Sequence, residues 1–355
     1  MSLGQVIPGL IALFGSGETT ASGGRIFESL ARELDPPLLM AFLETPAGFE
    51  LNSPRVVGRV ADYVSSRLQN YHPQLRIVAA RRKGTAFSPD DLEIIRPLLE
   101  ANLIFLGPGS PTYAVRQLKS TLAWQAVLAR HRLGAALALA SAAAIATGAL
   151  ALPVYEIYKV GEDPHWNEGL NLLGPYGLHL VLIPHWNNAE GGAELDTSRC
   201  FMGTSRFETL RNSIPAKMTI VGIDENTGLI IDLARRSCHV VGKGAVTIMK
   251  EGEETRSFHA RSFPLLILGE ATFPDLKSDI PALIWETIER AQPSQAAPRQ
   301  APLEVQSLIQ QRDEARKRKE WERADDLRAR ITALGWAVRD TPQGSELEPL
   351  DPKGA

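Results

Sequence analysis

The sequence predicts an α/β fold: a mostly parallel sheet sandwiched by helices, with antiparallel hairpins near its end and a small C-terminal helical tail. Three observations carry this. Short, continuously apolar runs such as Leu103 to Leu106 and Gly134 to Ala140 read as strands buried on both faces. These runs alternate with helix-compatible segments, which is the pattern of parallel βα units. Finally, Gln292 to Pro302 holds Pro, Ala, Gln and Ser with almost no large apolar residue, which is linker composition.

In chain order, Leu10 to Phe14 is a strand ending in Gly15-Ser16-Gly17, and Gly24 to Leu34 is helix-compatible. Leu38 to Leu43 is strand-like and Pro54 to Leu68 helix-like. Leu75 to Ala80 is another strand, and Pro89 to Glu100 runs as a helix with Ser88 as its N-cap. Leu103 to Leu106 ends in Gly107-Pro108-Gly109. A broken helix follows over Thr112 to Arg132, and then the apolar run that ends at Ala140. Beyond Ser141 the texture changes: Leu178 to Ile183 is a strand, Ser198 to Arg211 a helix, and Met218 to Val246 several antiparallel strands with turns at Glu225-Asn226 and Gly242 to Gly244. Pro281 to Arg290 closes the domain. The expected organisation is therefore a domain over residues 1–291, a linker over 292–302, a tail over 303–348 and a disordered end over 349–355.

The chain has 355 residues, 44% hydrophobic and 22% charged, enough apolar material for one large domain plus an appendage. A formal net charge of -3 gives no global reason to bind nucleic acid, so such binding needs a local patch. Only Cys200 and Cys238 occur, without CxxC spacing or a disulfide framework, which fits a reducing cytoplasm. The opening run has no Lys or Arg ahead of it and no cleavage site after it, so it reads as a buried strand rather than a signal peptide. Leu133 to Leu152 is long and apolar, but its small residues fit a buried strand turning into a buried helix rather than a membrane span.

In open parallel sheets, ligands sit outside the carboxyl ends of the strands. Ser141 follows such a strand and precedes Ala142-Ala143-Ala144, the small neighbours that a nucleophile on a sharp turn requires. A helix cap is the alternative reading of the same Ser. His185 ends the strand Val181 to Ile183 through Pro184, where a general base or a hydrogen-bonded structural histidine fits. Val221-Gly222-Ile223 leaves Asp224 and Glu225 at a strand end, where one carboxylate could orient an imidazole or both could mark a charged hairpin turn. Backbone N–H groups of Gly107-Pro108-Gly109 could complete an oxyanion hole with that of Ala142. Gly15-Ser16-Gly17 lacks the third Gly of a dinucleotide fingerprint and the Lys of a P-loop, so no nucleotide cofactor is expected. No metal-ligand spacing is visible.

In order and spacing these motifs resemble the cyanophycinase and aspartyl dipeptidase (dipeptidase E-like) group of serine peptidases, whose sheet is similar to the class I glutamine amidotransferase fold. The resemblance spans about residues 10 to 290. The G-x-S-A-G-A elbow of that group matches Leu139 to Ala144, its strand-borne His matches His185, its G-I-D-E turn matches Gly222 to Glu225, and its Gly-rich turn matches Gly107 to Gly109. The resemblance implies Ser141 as nucleophile, His185 as base and Glu225 as third member, with Gly109 and Ala142 binding the oxyanion. Both elbow glycines are replaced, by Leu139 and Ala143, and the arginines that follow the His in cyanophycinases are absent. Candidate substrate contacts are Ser110, Asn187, Arg199 and Arg206; surface placement is the alternative for both arginines.

From Arg312-Asp313-Glu314-Ala315-Arg316 through Lys319-Glu320-Trp321 and Ala324-Asp325-Asp326-Leu327-Arg328 to Asp340-Thr341-Pro342-Gln343-Gly344, the tail resembles the end of cysteinyl-tRNA synthetases. Its apolar spacing predicts two amphipathic helices joined near Lys319 to Trp321, with a basic cluster from Arg312 to Lys319. No HIGH-type or KMSKS-type motif occurs, so aminoacylation is not expected. The expected function is a serine-type peptidase or amidase acting on small or acidic peptides; the alternative is an inactive binding module whose tail contacts tRNA or a protein. A homodimer is allowed and a membrane partner is not expected.

Overall fold

The buried runs Ile11–Phe14 (β1), Leu39–Leu43 (β2), Gln74–Val78 (β3), Leu103–Leu106 (β4) and Ala136–Ala140 (β5) pair in parallel in the order β1-β5-β4-β2-β3. This is a computed structural model describing residues 7–291, 301–341 and 344–349. The connecting helices are Ala21–Arg32 (α1), Ser53–Arg67 (α2), Leu92–Glu100 (α3), Pro111–Leu118 (α4) and Leu122–Arg132 (α5). The predicted break between α4 and α5 falls at Lys119 to Thr121, where Ser120 takes a φ of 62° and the Thr121 side chain caps the second helix.

Each face of the sheet has its own apolar cover. On one, Ile26, Phe27 and Leu30 of α1 and Val57, Val60 and Val64 of α2 pack on Phe14, Phe42 and Phe105. Those rings meet in tilted pairs 5.3 to 5.9 Å apart, and truncating fully buried Phe105 to Ala would cost about 3–5 kcal/mol. On the other, Ile95 and Leu98 of α3 and Trp124 and Val127 of α5 cover Leu106, Leu137 and Leu139.

After β5 come Ala142–Thr147 (α6), Leu150–Ala151 (β6), Asn167–Glu168 (β7), Leu180–Ile183 (β8), Gly203–Asn212 (α7), Thr219–Ile223 (β9), Thr227–Asp232 (β10), Ser237–Gly242 (β11), Ala245–Lys250 (β12), Glu253–Phe258 (β13), Ser262–Pro264 (β14) and Ala282–Ala291 (α8). Among the described residues no helix is long and apolar enough to cross a membrane. Strands β10, β11 and β14 extend the first sheet beside β1 as antiparallel neighbours, making eight described strands. The rest form a second sheet in the order β13-β12-β9-β8-β6-β7, which sequence reading missed because β6 and β7 are only two residues long.

The second sheet corrects two expected hairpins. Glu225-Asn226 carries the chain from β9 in the second sheet to β10 in the first, and Lys243-Gly244 carries it back to β12. Asn226 in the first stretch and Gly242 just before the second take positive φ, so local composition marks a turn without saying whether it closes a hairpin or crosses between sheets. The hairpins that form are β10 with β11 and β12 with β13. Two smaller corrections concern helix starts. Asp91, not Ser88, caps α3, accepting from the amides of Glu93 and Ile94, and α7 begins at Gly203 because Arg199, Cys200 and Phe201 are all left-handed, with φ of 57°, 58° and 67°.

The chain divides into two compact units at Ala291/Gln292. The second contains Leu303–Lys317 (α9) and Trp321–Ala333 (α10), followed by a hairpin of Trp336–Thr341 (β15) and Gly344–Pro349 (β16) that the helical pattern did not predict. Its core is Val305, Leu308, Ala315, Ala324, Leu327, Ile331, Trp336 and Val338. The expected linker lies outside the described residues over 292–300, and the expected disordered end lies outside them over 350–355.

Candidate active site

Strand β5 is buried along its whole length and ends directly on Ser141, so packing of the sheet fixes where that residue must turn. Its backbone takes φ 50° and ψ -112°, a region L-residues seldom occupy. The turn into α6 holds because Ala142, Ala143 and Ala144 are at most 2% exposed and offer no bulk to clash. Leu139, which stands where an elbow usually carries Gly, sends its side chain into the core with Leu13, Leu106 and Ile223 and leaves Ser141 part-exposed.

Three strand ends meet here. The Ser141 Oγ lies 3.0 Å from His185 Nε2, and His185 Nδ1 lies 2.9 Å from Glu225 Oε1. A carboxylate only accepts, so Nδ1 carries the proton and Nε2 is left to accept from the Ser141 hydroxyl. His185 follows β8 in a left-handed conformation, φ 52°, with its amide donating to the Gly15 carbonyl at 3.0 Å. Gly15 lies at the end of β1, where an added Cβ would stand 2.0 Å from the Asp224 carbonyl oxygen. The glycine run rejected as a nucleotide site is therefore the point where β1, the His185 loop and the Asp224 turn close on one another.

Glu225 is held from two sides that sequence reading did not assign. Asn188 Nδ2 donates to Oε1 at 3.0 Å, and Asn187 Oδ1 accepts from the Glu225 amide at 2.8 Å. Burial pushes the Glu225 carboxyl up, but hydrogen bonds from His185 and Asn188 and the charge of His185 outweigh it, leaving the group below its ordinary 4.5. Asn187 and Asn188 come two and three residues after His185, yet their partner is 37 to 38 residues away, so only the sequential closeness to His185 hinted at them. The neighbouring thiol of Cys200 is fully buried and pushed up to about 12 by burial and by the charge of Glu225, which leaves it poorly suited as a nucleophile.

Gly109 lies beside this group because β4 pairs with β5 through Leu106 and Leu139, so the turn after β4 runs next to Ser141. A φ of 148° and a Cβ position 1.9 Å from the Pro46 carbonyl oxygen leave room only for glycine. Among the described residues, the Gly109 and Ala142 amides have no protein acceptor, as donors to a substrate oxyanion would require. Ser110 is 8% exposed and its hydroxyl caps α4 by accepting from the Tyr113 amide. It also lines a cleft of about 1100 Å³ with Arg82, Lys83, Arg116, Glu50 and Glu156. None of Ser141, His185 or Glu225 lines that cleft. Arg206 is exposed on α7, and Arg199 stacks on the Trp186 ring with its guanidinium 4.0 Å from the centroid. Among the described residues no group of three or more His, Cys, Asp or Glu is arranged to hold a metal ion.

Comparison with known proteins separates the two units. A crystal structure of a peptidase from an acI-B1 Actinobacterium superposes with a TM-score of 0.59 at 21% identity, covering 73% of this chain and 98% of that one. The chain thus shares the fold of that peptidase over about three quarters of its length. Residues 299–346 match the family described as cysteinyl-tRNA ligase anticodon binding domain. The cysteine–tRNA ligase of Bdellovibrio bacteriovorus is 54% identical over 41 residues, 12% of this chain and 8% of the ligase. That of Methanosarcina mazei is 38% identical over 55 residues, 16% of this chain and 12% of the ligase. The chain thus matches only about a tenth of the length of these ligases.

Proposed function

We propose that the first unit is a serine-type peptidase or amidase that cleaves small or acidic peptides through an acyl-enzyme. The observation that carries this reading is the continuous hydrogen-bonded relay from Ser141 Oγ to His185 to Glu225, with Ser141 on a strained turn. In the first step Ser141 Oγ attacks the scissile carbonyl while His185 Nε2 takes the hydroxyl proton. The Gly109 and Ala142 amides receive the oxyanion, and collapse of the tetrahedral intermediate breaks the C–N bond as His185 returns the proton to the leaving amine. Water then repeats the sequence on the ester, releasing the acid and restoring Ser141. Glu225 holds the imidazole in the required tautomer and balances the charge it gains.

The acidic preference is assigned to the cleft beside Ser110. Among the described residues, Arg82, Lys83 and Arg116 on its wall have no carboxylate within ion-pair distance, while the cyanophycinase arginines after the His are absent from Trp186 to Glu190. For the tail we propose contact with tRNA, supported by its match to an anticodon binding family. The proposal places the catalytic domain over 1–291 and the tail over 303–348, in a cytoplasmic protein.

Hydrolysis of short acidic and neutral peptides by the wild type, Ser141→Ala and His185→Ala tests the reading. The expected result is turnover by the wild type and a loss of about 10³-fold or more in either variant; undiminished turnover in Ser141→Ala would refute it.

A further inference from the structure

The segment between His185 and Glu225 contains a second arrangement that the proposed chemistry does not use directly. Trp186, next to the imidazole, is 3% exposed, and its indole lies flat against the bare α-carbon of Gly222, where a Cβ would stand 2.3 Å from the ring. On the ring also rests the Arg199 guanidinium, 4.0 Å from its centroid and donating to the Trp186 carbonyl at 3.3 Å. Gly222 pairs with Ile183 at the end of β8, three residues before Glu225, and Trp186, one residue after His185, returns to β9 by donating its amide to the Ile223 carbonyl at 3.0 Å. The spacing between the two strand ends, and with it the meeting of imidazole and carboxylate, therefore passes through this stack.

Arg199 reaches the ring from a segment whose geometry is costly and specific. Arg199, Cys200 and Phe201 are three successive non-glycine residues in the left-handed region. The Arg199 amide donates to the Trp186 carbonyl at 2.9 Å and the Cys200 amide to the His185 carbonyl at 3.1 Å. Asp196 braces the segment, accepting from the Ser198 amide at 3.0 Å and from the Thr204 amide and hydroxyl at 2.8 and 2.9 Å. Such strain persists where surrounding contacts over-determine it.

We infer that Arg199 is a positioning residue rather than a clamp for a substrate carboxylate: stacked on Trp186 over Gly222, it fixes His185 against Glu225. The inference rests on the Ser141–His185–Glu225 reading above. The ring takes the face of the guanidinium and the Trp186 carbonyl one of its N–H groups, which anchors it on the site's own backbone, and its flat fork suits stacking better than an ammonium does.

The test measures the rate at which a small neutral fluorophosphonate labels Ser141 in the full chain, together with kcat and KM for an acidic and a neutral peptide. Arg199→Ala is expected to slow labelling about 10- to 100-fold, the penalty of a misplaced catalytic group. kcat should fall equally for both peptides with KM unchanged. Arg199→Lys should recover part of the rate and Arg199→Gln, which keeps a planar end, part as well; these variants carry the test if Arg199→Ala does not fold. A rise in KM confined to the acidic peptide, with labelling at the wild-type rate, would overturn the inference in favour of a clamp, and wild-type behaviour throughout would overturn it outright. If the wild type itself is not labelled, the Ser141 reading fails first.

Discussion

The strained turn at Ser141 makes a prediction that needs no substrate. Replacing Ser141 by Gly or by Ala removes the same hydroxyl and the same hydrogen bond to His185, so the difference between the variants isolates the backbone. At φ 50° and ψ -112°, a residue with a Cβ pays a conformational penalty of about 1–3 kcal/mol that glycine escapes. Against this, glycine costs about 0.5–1 kcal/mol in added chain entropy when unfolded. Ser141→Gly should therefore be more stable than Ser141→Ala by about 0.5–2 kcal/mol, or about 1–3 °C in the melting of a unit this size. Differential scanning calorimetry on the two variants reads this directly. Equal melting temperatures, or a lower one for the Gly variant, would refute the strained turn and with it the reason Ser141 is presented as a nucleophile.

Other consequences follow from the same geometry. Glu225→Gln should lower peptide turnover by about 10²- to 10⁴-fold with little change in KM, since it favours the wrong imidazole tautomer; steady-state kinetics checks it. Glu225 is held below its ordinary 4.5 in the folded state, so its contribution to stability is present above that pH and is lost as pH falls through the folded value. The stability gap between the wild type and Glu225→Gln, read by urea unfolding, should accordingly narrow below about pH 4.5. Arg116→Ala should raise KM for acidic peptides by about tenfold and leave neutral ones unaffected, the loss of one charge-assisted contact. Binding of tRNA should weaken steeply with salt and disappear when residues 302 to 355 are deleted; binding that ignores salt would reject a phosphate contact.

Much of the architecture was legible because parallel strands buried on both faces leave an unmistakable trace: Leu103 to Leu106 and Ala136 to Ala140 are apolar without interruption because neither face meets water. The Ser141, His185 and Glu225 positions could be named for the same reason, each lying just past such a strand. What could not be read is pairing over distance. Nothing near Glu225-Asn226 distinguishes a hairpin from a passage between two sheets, because the partners of β9 and β10 are chosen by β8 and β1, far away in the chain. The Asn188 side chain similarly looks like ordinary loop polarity until Glu225 is brought to it. At the two elbow positions without glycine, the Leu139 side chain enters a core cluster rather than the turn, and Ala143 is small enough to remain 1% exposed. Gly222 had a signal, a glycine in a β-rich run, but its reason is the Trp186 ring lying on it.

The central claim is that the Ser141 hydroxyl is activated by His185, and covalent labelling with a fluorophosphonate followed by peptide mapping tests it most directly. The account predicts a single modified peptide carrying the label on Ser141, absent in Ser141→Ala and formed far more slowly in His185→Ala. A folded wild-type protein that stays unlabelled, or one labelled equally fast without His185, would contradict it.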